Sequence, residues 1–269
     1  MTSIGYATFQ NCTSLKAIDI PSGVPRITNN AFYNCHALES VTFNGTISYI
    51  GQDAFRACWA LNNIVLPNGM TITYDRSFYQ CSGLESVTFP NSLLNIKESS
   101  FEECESLTGV VIPPNVTEIG DYAFAFCDLR SINIPAPCTY VGEGAFDENP
   151  RFTEFVVDAN NTEYASVNGL LLSKDEETLF IVPSGSTSVT IPNTVTTMEA
   201  YSVYACRNIT SLTIPPSVTH IADGAMMECI KLTSIDIPDS VTSCDSSVFW
   251  DCTSLTNVTI GSGLKQIPS

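Results

Sequence analysis

Nine of the eleven cysteines in this 269-residue chain fall on a single 23-residue spacing. Cys12, Cys35, Cys58, Cys81, Cys104 and Cys127 follow one another at that interval, and Cys206, Cys229 and Cys252 take it up again. Self-similarity at a fixed period of 20 to 50 residues is the mark of a stacked repeat, in which no unit buries its apolar face alone. The spacing therefore predicts a solenoid with one continuous core, described as a single domain over residues 1–269. Regular coils are expected over 1–149 and 189–269, with an irregular long unit over 150–188.

Aligned on the cysteine, each coil repeats one pattern. Leu15, Ile18 and Ile20 precede Pro21, then come Val24, Ile27, Ala31, Phe32 and Cys35. The same order returns as Leu107, Val110, Ile112, Pro113, Val116, Ile119, Ala123, Phe124 and Cys127. Apolar residues two apart, as in Ile18-Asp19-Ile20, are the alternation of a half-buried strand. The proline behind it cannot donate to a ladder and closes the strand. Spacings of three and four in the following Val-to-Cys segment predict one or two turns of helix or 3₁₀-helix, too short to stand alone. Parallel strands stacked at about 4.8 Å would gather Leu, Ile, Phe and Cys into columns.

The two stray cysteines fit the same register. Cys138 takes the column of Val24 and Val116, and Cys244 that of Ile27 and Ile119. All eleven thus sit on expected core positions, where a free thiol behaves as a small hydrophobe. A disulfide between coils would need a dihedral that parallel inward side chains do not offer. A metal site would need Cys-x-x-Cys or histidines, and only His36 and His220 exist. No cofactor is expected.

The irregular unit opens with the strand-like Phe152 to Val157. It continues through Asn168-Gly169, a tight-turn signal, to a hairpin expected between Leu170–Leu172 and Leu179–Pro183. Asp158, Asn160 and Glu163 resemble a calcium loop loosely, without a full ligand set.

Charge narrows the partners. The chain carries 28 acids against 11 bases, a net charge of −17. That balance argues against nucleic acid, whose affinity comes from Lys and Arg on phosphates, and against an anionic membrane surface. Apolar runs such as Leu170–Leu172 are too short for membrane insertion. No nucleophile elbow, zinc-protease helix or phosphate loop occurs, and His36 and His220 read as surface residues, so no catalysis is expected. Trp59 and Trp250, beside cysteines, read as partly exposed packing residues. Six Asn-x-Ser/Thr sequons occur, at Asn11, Asn44, Asn115, Asn160, Asn208 and Asn257.

Ile209-Thr-Ser-Leu-Thr-Ile-Pro-Pro-Ser-Val-Thr-His-Ile221 resembles the BspA-like, or Treponema pallidum type, leucine-rich repeat. So do the Ala-Phe-x-x-Cys-x-x-Leu boxes at Ala31 to Leu38 and Ala54 to Leu61. Asn160 to Leu171 resembles the long irregular unit of that family. The resemblance implies a leucine-rich repeat solenoid with parallel strands on the concave face and helical or 3₁₀ returns on the convex one. It implies a non-catalytic, extracellular or cell-surface adhesion module for matrix-type proteins or glycans.

The solvent-facing residue midway along each strand marks the candidate ligand face: Asp19, Thr42, Thr88, Asn133, Thr190, Thr213, Asp236 and Thr259, with Val65, Val111 and Val156 between them. Solenoids commonly use such a strip for extended partners. The alternative is a structural scaffold. Ile4 and Ile267 occupy the same column, so uncapped ends would allow head-to-tail self-association; the chain then reads as a piece of a longer protein or one without end caps.

Overall fold

The computed structural model describes residues 3–266. The chain packs as two compact units, Met1–Glu148 and Asn149–Ser269. Ile267 lies outside the described residues, so the column at that end is not defined.

In the first unit the coils run as two extended segments around a bend, made by Pro21, Pro67, Pro90, Pro113 and Pro135 and, after Phe43, by Asn44-Gly45. The first set includes Ala17–Ile20 paired in parallel with Ser40–Phe43, Ile18 facing Val41 and Asp19 facing Thr42, and Asn63–Val65 paired with Ser86–Thr88. The second set is shorter: Arg26–Ile27 pairs with Tyr49–Ile50. Ile72–Thr73, Asn95–Ile96, Glu118–Ile119 and Tyr140–Val141 form a four-stranded parallel ladder. Ile20, Val24, Ile27, Phe32, Cys35 and Leu38 are almost wholly buried, as are most of their equivalents in the following coils, Phe43 and Val141 being half-buried. The box phenylalanines form one column: Phe9, Phe32, Phe55, Phe78, Phe101, Phe124 and Phe146 lie ring over ring. Neighbouring centroids are 5.0 to 5.8 Å apart, which is the coil repeat itself.

The returns are not helical. Among the described residues they are chains of turns, and their hydrogen bonds show why. The amides of Ala31, Tyr33 and Cys35 donate within the coil, to the carbonyls of Thr28, Asn30 and Phe32. Those of Asn30, Phe32 and Asn34 donate instead to Gln52, Ala54 and Arg56 of the next coil, at 3.0, 2.8 and 2.9 Å. A helix would spend every amide on its own chain; here alternate amides tie one coil to the next. The geometry demands two left-handed residues per return, four apart, such as Asn30 and Asn34, Asp53 and Ala57, and Tyr122 and Phe126. Left-handed backbone costs an L-residue about 1–2 kcal/mol, and the coil-to-coil bonds offset it. The three- and four-residue spacing that resembles a helix is thus the spacing of inward corners on a turning chain.

In the second unit, Tyr164–Val167 and Leu170–Ser173 form a hairpin across Asn168-Gly169, both in the left-handed region. Leu170–Ser173 then pairs antiparallel with Thr178–Ile181. The expected hairpin is therefore the second half of a three-stranded meander. Two reversals restore the chain direction, and Thr178–Ile181 pairs in parallel with Thr197–Met198. His220–Ile221 and Ser243–Cys244 continue that ladder, and Ser234–Ile237 pairs with Asn257–Ile260. Leu172, Leu179, Val195, Met198, Val218, Ile221 and Val241 are fully buried at its core. Asp158 and Asn161 serve this segment's backbone: the Asp158 carboxylate accepts the Asn160 amide, and the Asn161 side chain accepts those of Glu163 and Tyr164.

All eleven cysteines are free, and nine are buried. Cys12 is exposed and Cys244 only half-buried, which corrects the expectation that all eleven are core. Cys12 belongs to the first coil, and no described coil packs on its outer side.

Candidate functional site

The strand face of each unit presents two outward columns, because successive side chains on a strand point to opposite sides. In the first unit the midstrand column runs Asp19, Thr42, Val65, Thr88, Val111 and Asn133. Two residues earlier runs Ala17, Ser40, Asn63, Ser86, Gly109 and Ser131. Every one of these residues is exposed. Beneath them Ile20, Ile64, Ile112, Ile132 and Ile134 are buried and hold the backbone in place. From Ser40 to Asn133 neither column carries a charge, and no outward side chain is larger than Asn, Thr or Val. Val65 is 64% and Val111 78% exposed, so apolar methyls alternate with threonine hydroxyls along the strip.

Two shallow hollows open on this face. One of about 690 Å³ lies over Thr42, Phe43, Val65, Leu66, Thr88 and Phe89. The other, of about 550 Å³, lies over Thr88, Val111, Pro113 and Arg130. In the second unit Val156, Thr190, Thr213, Asp236 and Thr259 are likewise exposed. Asp236 pairs with Thr259 in register. Val111, Thr190 and Thr213 lie outside any strand, although their side chains keep the outward position.

The histidines are engaged in contacts between coils. The His36 ring stacks on Trp59 with centroids 3.7 Å apart. His220 Nδ1 meets the Ser243 hydroxyl at 2.7 Å and its Nε2 lies 3.5 Å from the Asp245 carboxylate. His220 and Ser243 face each other on adjacent strands and Asp245 follows the second of them, 48% exposed. Among the described residues no three His, Cys, Asp or Glu side chains converge as metal ligands. No helix of those residues is long and apolar enough to cross a membrane.

The cysteine comb has a geometric role that the sequence does not announce. Cys58 Sγ donates to the Phe32 carbonyl at 3.3 Å, Cys81 to Phe55 at 3.1 Å and Cys104 to Phe78 at 3.4 Å. The second unit repeats the contact, Cys229 to Val203 and Cys252 to Met226. A fixed offset of 26 residues, one coil plus three, was the available signal. Burial pushes the Cys81 thiol up to about 12.

Parallel strands stacked coil on coil, a buried column of Leu, Ile and Phe, and a polar strand face define a leucine-rich repeat solenoid. The BspA type leucine-rich repeat region matches residues 1–93, 71–167 and 178–269. The chain belongs to that family. Among solved structures it is similar to a leucine-rich repeat protein from Eubacterium ventriosum, at 23% identity and a TM-score of 0.70, covering 94% of this chain and 68% of that one. A leucine-rich repeat protein from Bacteroides ovatus is 25% identical with a TM-score of 0.59, covering 100% and 78%. A leucine-rich cell surface protein from Faecalibacterium prausnitzii is 23% identical with a TM-score of 0.57, covering 96% and 83%. No curated protein matches the sequence.

Proposed function

We propose that this protein is a non-catalytic cell-surface or extracellular adhesion module that holds an extended protein or glycan ligand on its strand face. The observation that carries the proposal is the pair of exposed columns from Ser40 to Asn133, small and uncharged. A partner laid along it meets one hydroxyl or methyl per coil and orders few protein side chains on binding, which lowers the entropic cost of association. Membership of the BspA-type family and the likeness to a bacterial cell surface protein support the location. The net charge of −17 disfavours polyanions on the same face.

The test is binding to immobilised fibronectin, to fibrinogen and to a glycan array. A triple variant, Thr42→Lys, Thr88→Lys and Thr213→Lys, is measured beside the parent. Saturable binding lost in the variant, with its thermal unfolding unchanged, is the expected result. Binding that survives the three lysines moves the ligand off the strand face, and no binding to any of these surfaces removes the adhesive reading.

A further inference from the structure

Trp59 is placed where the repeat normally shows a small or polar residue. It follows the buried Cys58, and its equivalents in neighbouring coils are Thr13, His36, Ser82 and Glu105. Half of its surface is exposed. One face of the indole is covered by the His36 ring of the preceding coil, nearly parallel at 5°. The next coil carries Ser82 and Gly83 at the positions of Trp59 and Ala60. Ser82 is short, and a Cβ at Gly83 would lie 2.3 Å from the Trp59 carbonyl oxygen, so neither position brings a large side chain to the indole.

The fold shows what fills such a space elsewhere. One column over, the Arg56 guanidinium lies between two tyrosine rings of adjacent coils, 5.4 Å from Tyr33 and 4.8 Å from Tyr79. Arg26 lies over Tyr49 at 4.2 Å. A planar cation thus takes one coil's place in a column, against an aromatic ring of the neighbouring coil, and an aromatic face attracts one through its quadrupole. The corner around Trp59, made of residues 36–39, 59–62, 82–85 and 105–108, carries Glu39, Glu85 and Glu105 and no Lys or Arg. All three carboxylates are exposed.

We propose that the open face of Trp59 is a docking point for an arginine side chain of a basic partner protein, its guanidinium stacked on the indole and its charge met by Glu85 and Glu105. Arginine suits the place better than lysine, because its planar, weakly hydrated head stacks and still donates sideways to carboxylates. A sugar ring would stack on the same face and donate hydroxyls to the carboxylates, but it brings no positive charge to meet theirs. The contact lies on the turn that leads into the strands, off the two outward columns. It stands or falls separately from the adhesive reading.

The test uses the full chain carrying Trp250→Phe, so that Trp59 is the single tryptophan reporter. Hexa-arginine is titrated against it, with hexa-lysine and maltohexaose as comparators. Saturable quenching by hexa-arginine is expected, with weaker binding of hexa-lysine and none of maltohexaose. By calorimetry, Trp59→Ala lowers the hexa-arginine affinity about tenfold, while Trp59→Phe retains part of it. The double variant Glu85→Gln with Glu105→Gln weakens binding about threefold or more, and added salt reduces the difference. Equal affinity of the parent and Trp59→Ala overturns the proposal, because any attraction then belongs to the acidic surface at large. Maltohexaose binding by calorimetry that is lost in Trp59→Ala overturns it too, in favour of a glycan subsite. The strand-face lysine variants leave this binding unchanged if the two sites are separate.

Discussion

The Phe32 carbonyl accepts two hydrogens, the Cys35 amide of its own coil at 3.1 Å and the Cys58 thiol of the next coil at 3.3 Å. Both lone pairs of a buried oxygen are thereby satisfied, one by the turn and one by the stack. The cysteine is the residue for this place because it is apolar enough for the core and still a donor. Alanine would fill most of the volume and leave the second lone pair empty.

That relationship predicts the response of Cys81, which donates to Phe55 in the same way. Cys81→Ala loses the donor and opens a small void, and should cost about 1–2 kcal/mol. Cys81→Ser keeps a donor within reach of the same oxygen and should cost less. Urea unfolding of the two variants gives the comparison; a serine variant weaker than the alanine one would count against the hydrogen bond.

The buried thiols also set a pH limit. Burial holds Cys81 as the thiol, raising it from 9.0 to about 12, and pushes Cys58 and Cys104 well upward for the same reason. A group raised in the folded state stabilises it fully below the unfolded value and loses that contribution as pH climbs through the folded one. Stability should therefore be flat up to about pH 9 and fall between about 9 and 12, as followed by melting temperature. Held as the thiol and out of solvent, Cys81 is a poor nucleophile near neutral pH, so iodoacetamide on the native protein should modify exposed Cys12 long before the buried column.

The phenylalanine stack should respond steeply to truncation. Phe78 lies between Phe55 at 5.4 Å and Phe101 at 5.2 Å and is fully buried. Phe78→Ala should cost about 3–5 kcal/mol, and Phe78→Leu less. Chemical denaturation of both variants measures the difference.

The turn character of the returns has its own signature. In an exposed helix, Ala→Gly costs about 1 kcal/mol. Ala57 sits at φ 57°, where glycine is at ease, so Ala57→Gly should be close to neutral. The converse change, Gly224→Ala, meets both the left-handed backbone and the Tyr201 ring 2.6 Å from the new Cβ. It should cost about 1–3 kcal/mol, with part of the loss recovered in Gly224→Ala combined with Tyr201→Ala. Helix-like values at both positions would contradict the turns.

A further site probes the meander. Gly169 has φ 79°, and a Cβ there would lie 2.9 Å from the Thr153 carbonyl oxygen. Its own carbonyl accepts the Phe155 amide at 2.9 Å. Gly169→Ala should cost about 1–2 kcal/mol, and hydrogen exchange should show faster opening at Tyr164–Val167 and Leu170–Ser173 than in the ladder around Met198 and Ile221.

The sequence alone determined the coil length, the identity of the buried column and the outward position of Asp19, Thr42, Thr88, Asn133, Thr190, Thr213, Asp236 and Thr259. Each of these follows from a period, and a period survives in one dimension: residues 23 apart share an environment, and residues two apart share a strand face. What the tertiary structure decided is whatever depends on the neighbouring coil. The amides of Asn30, Phe32 and Asn34 leave their own chain for Gln52, Ala54 and Arg56, so the returns are turns although their apolar spacing is that of a helix. The thiol of Cys58 finds the Phe32 carbonyl, His36 covers one face of Trp59, and Tyr164–Val167 adds a strand to the expected hairpin. Contacts of that kind are chosen by geometry between layers, where several arrangements bury the same residues and only one also satisfies their hydrogen bonds.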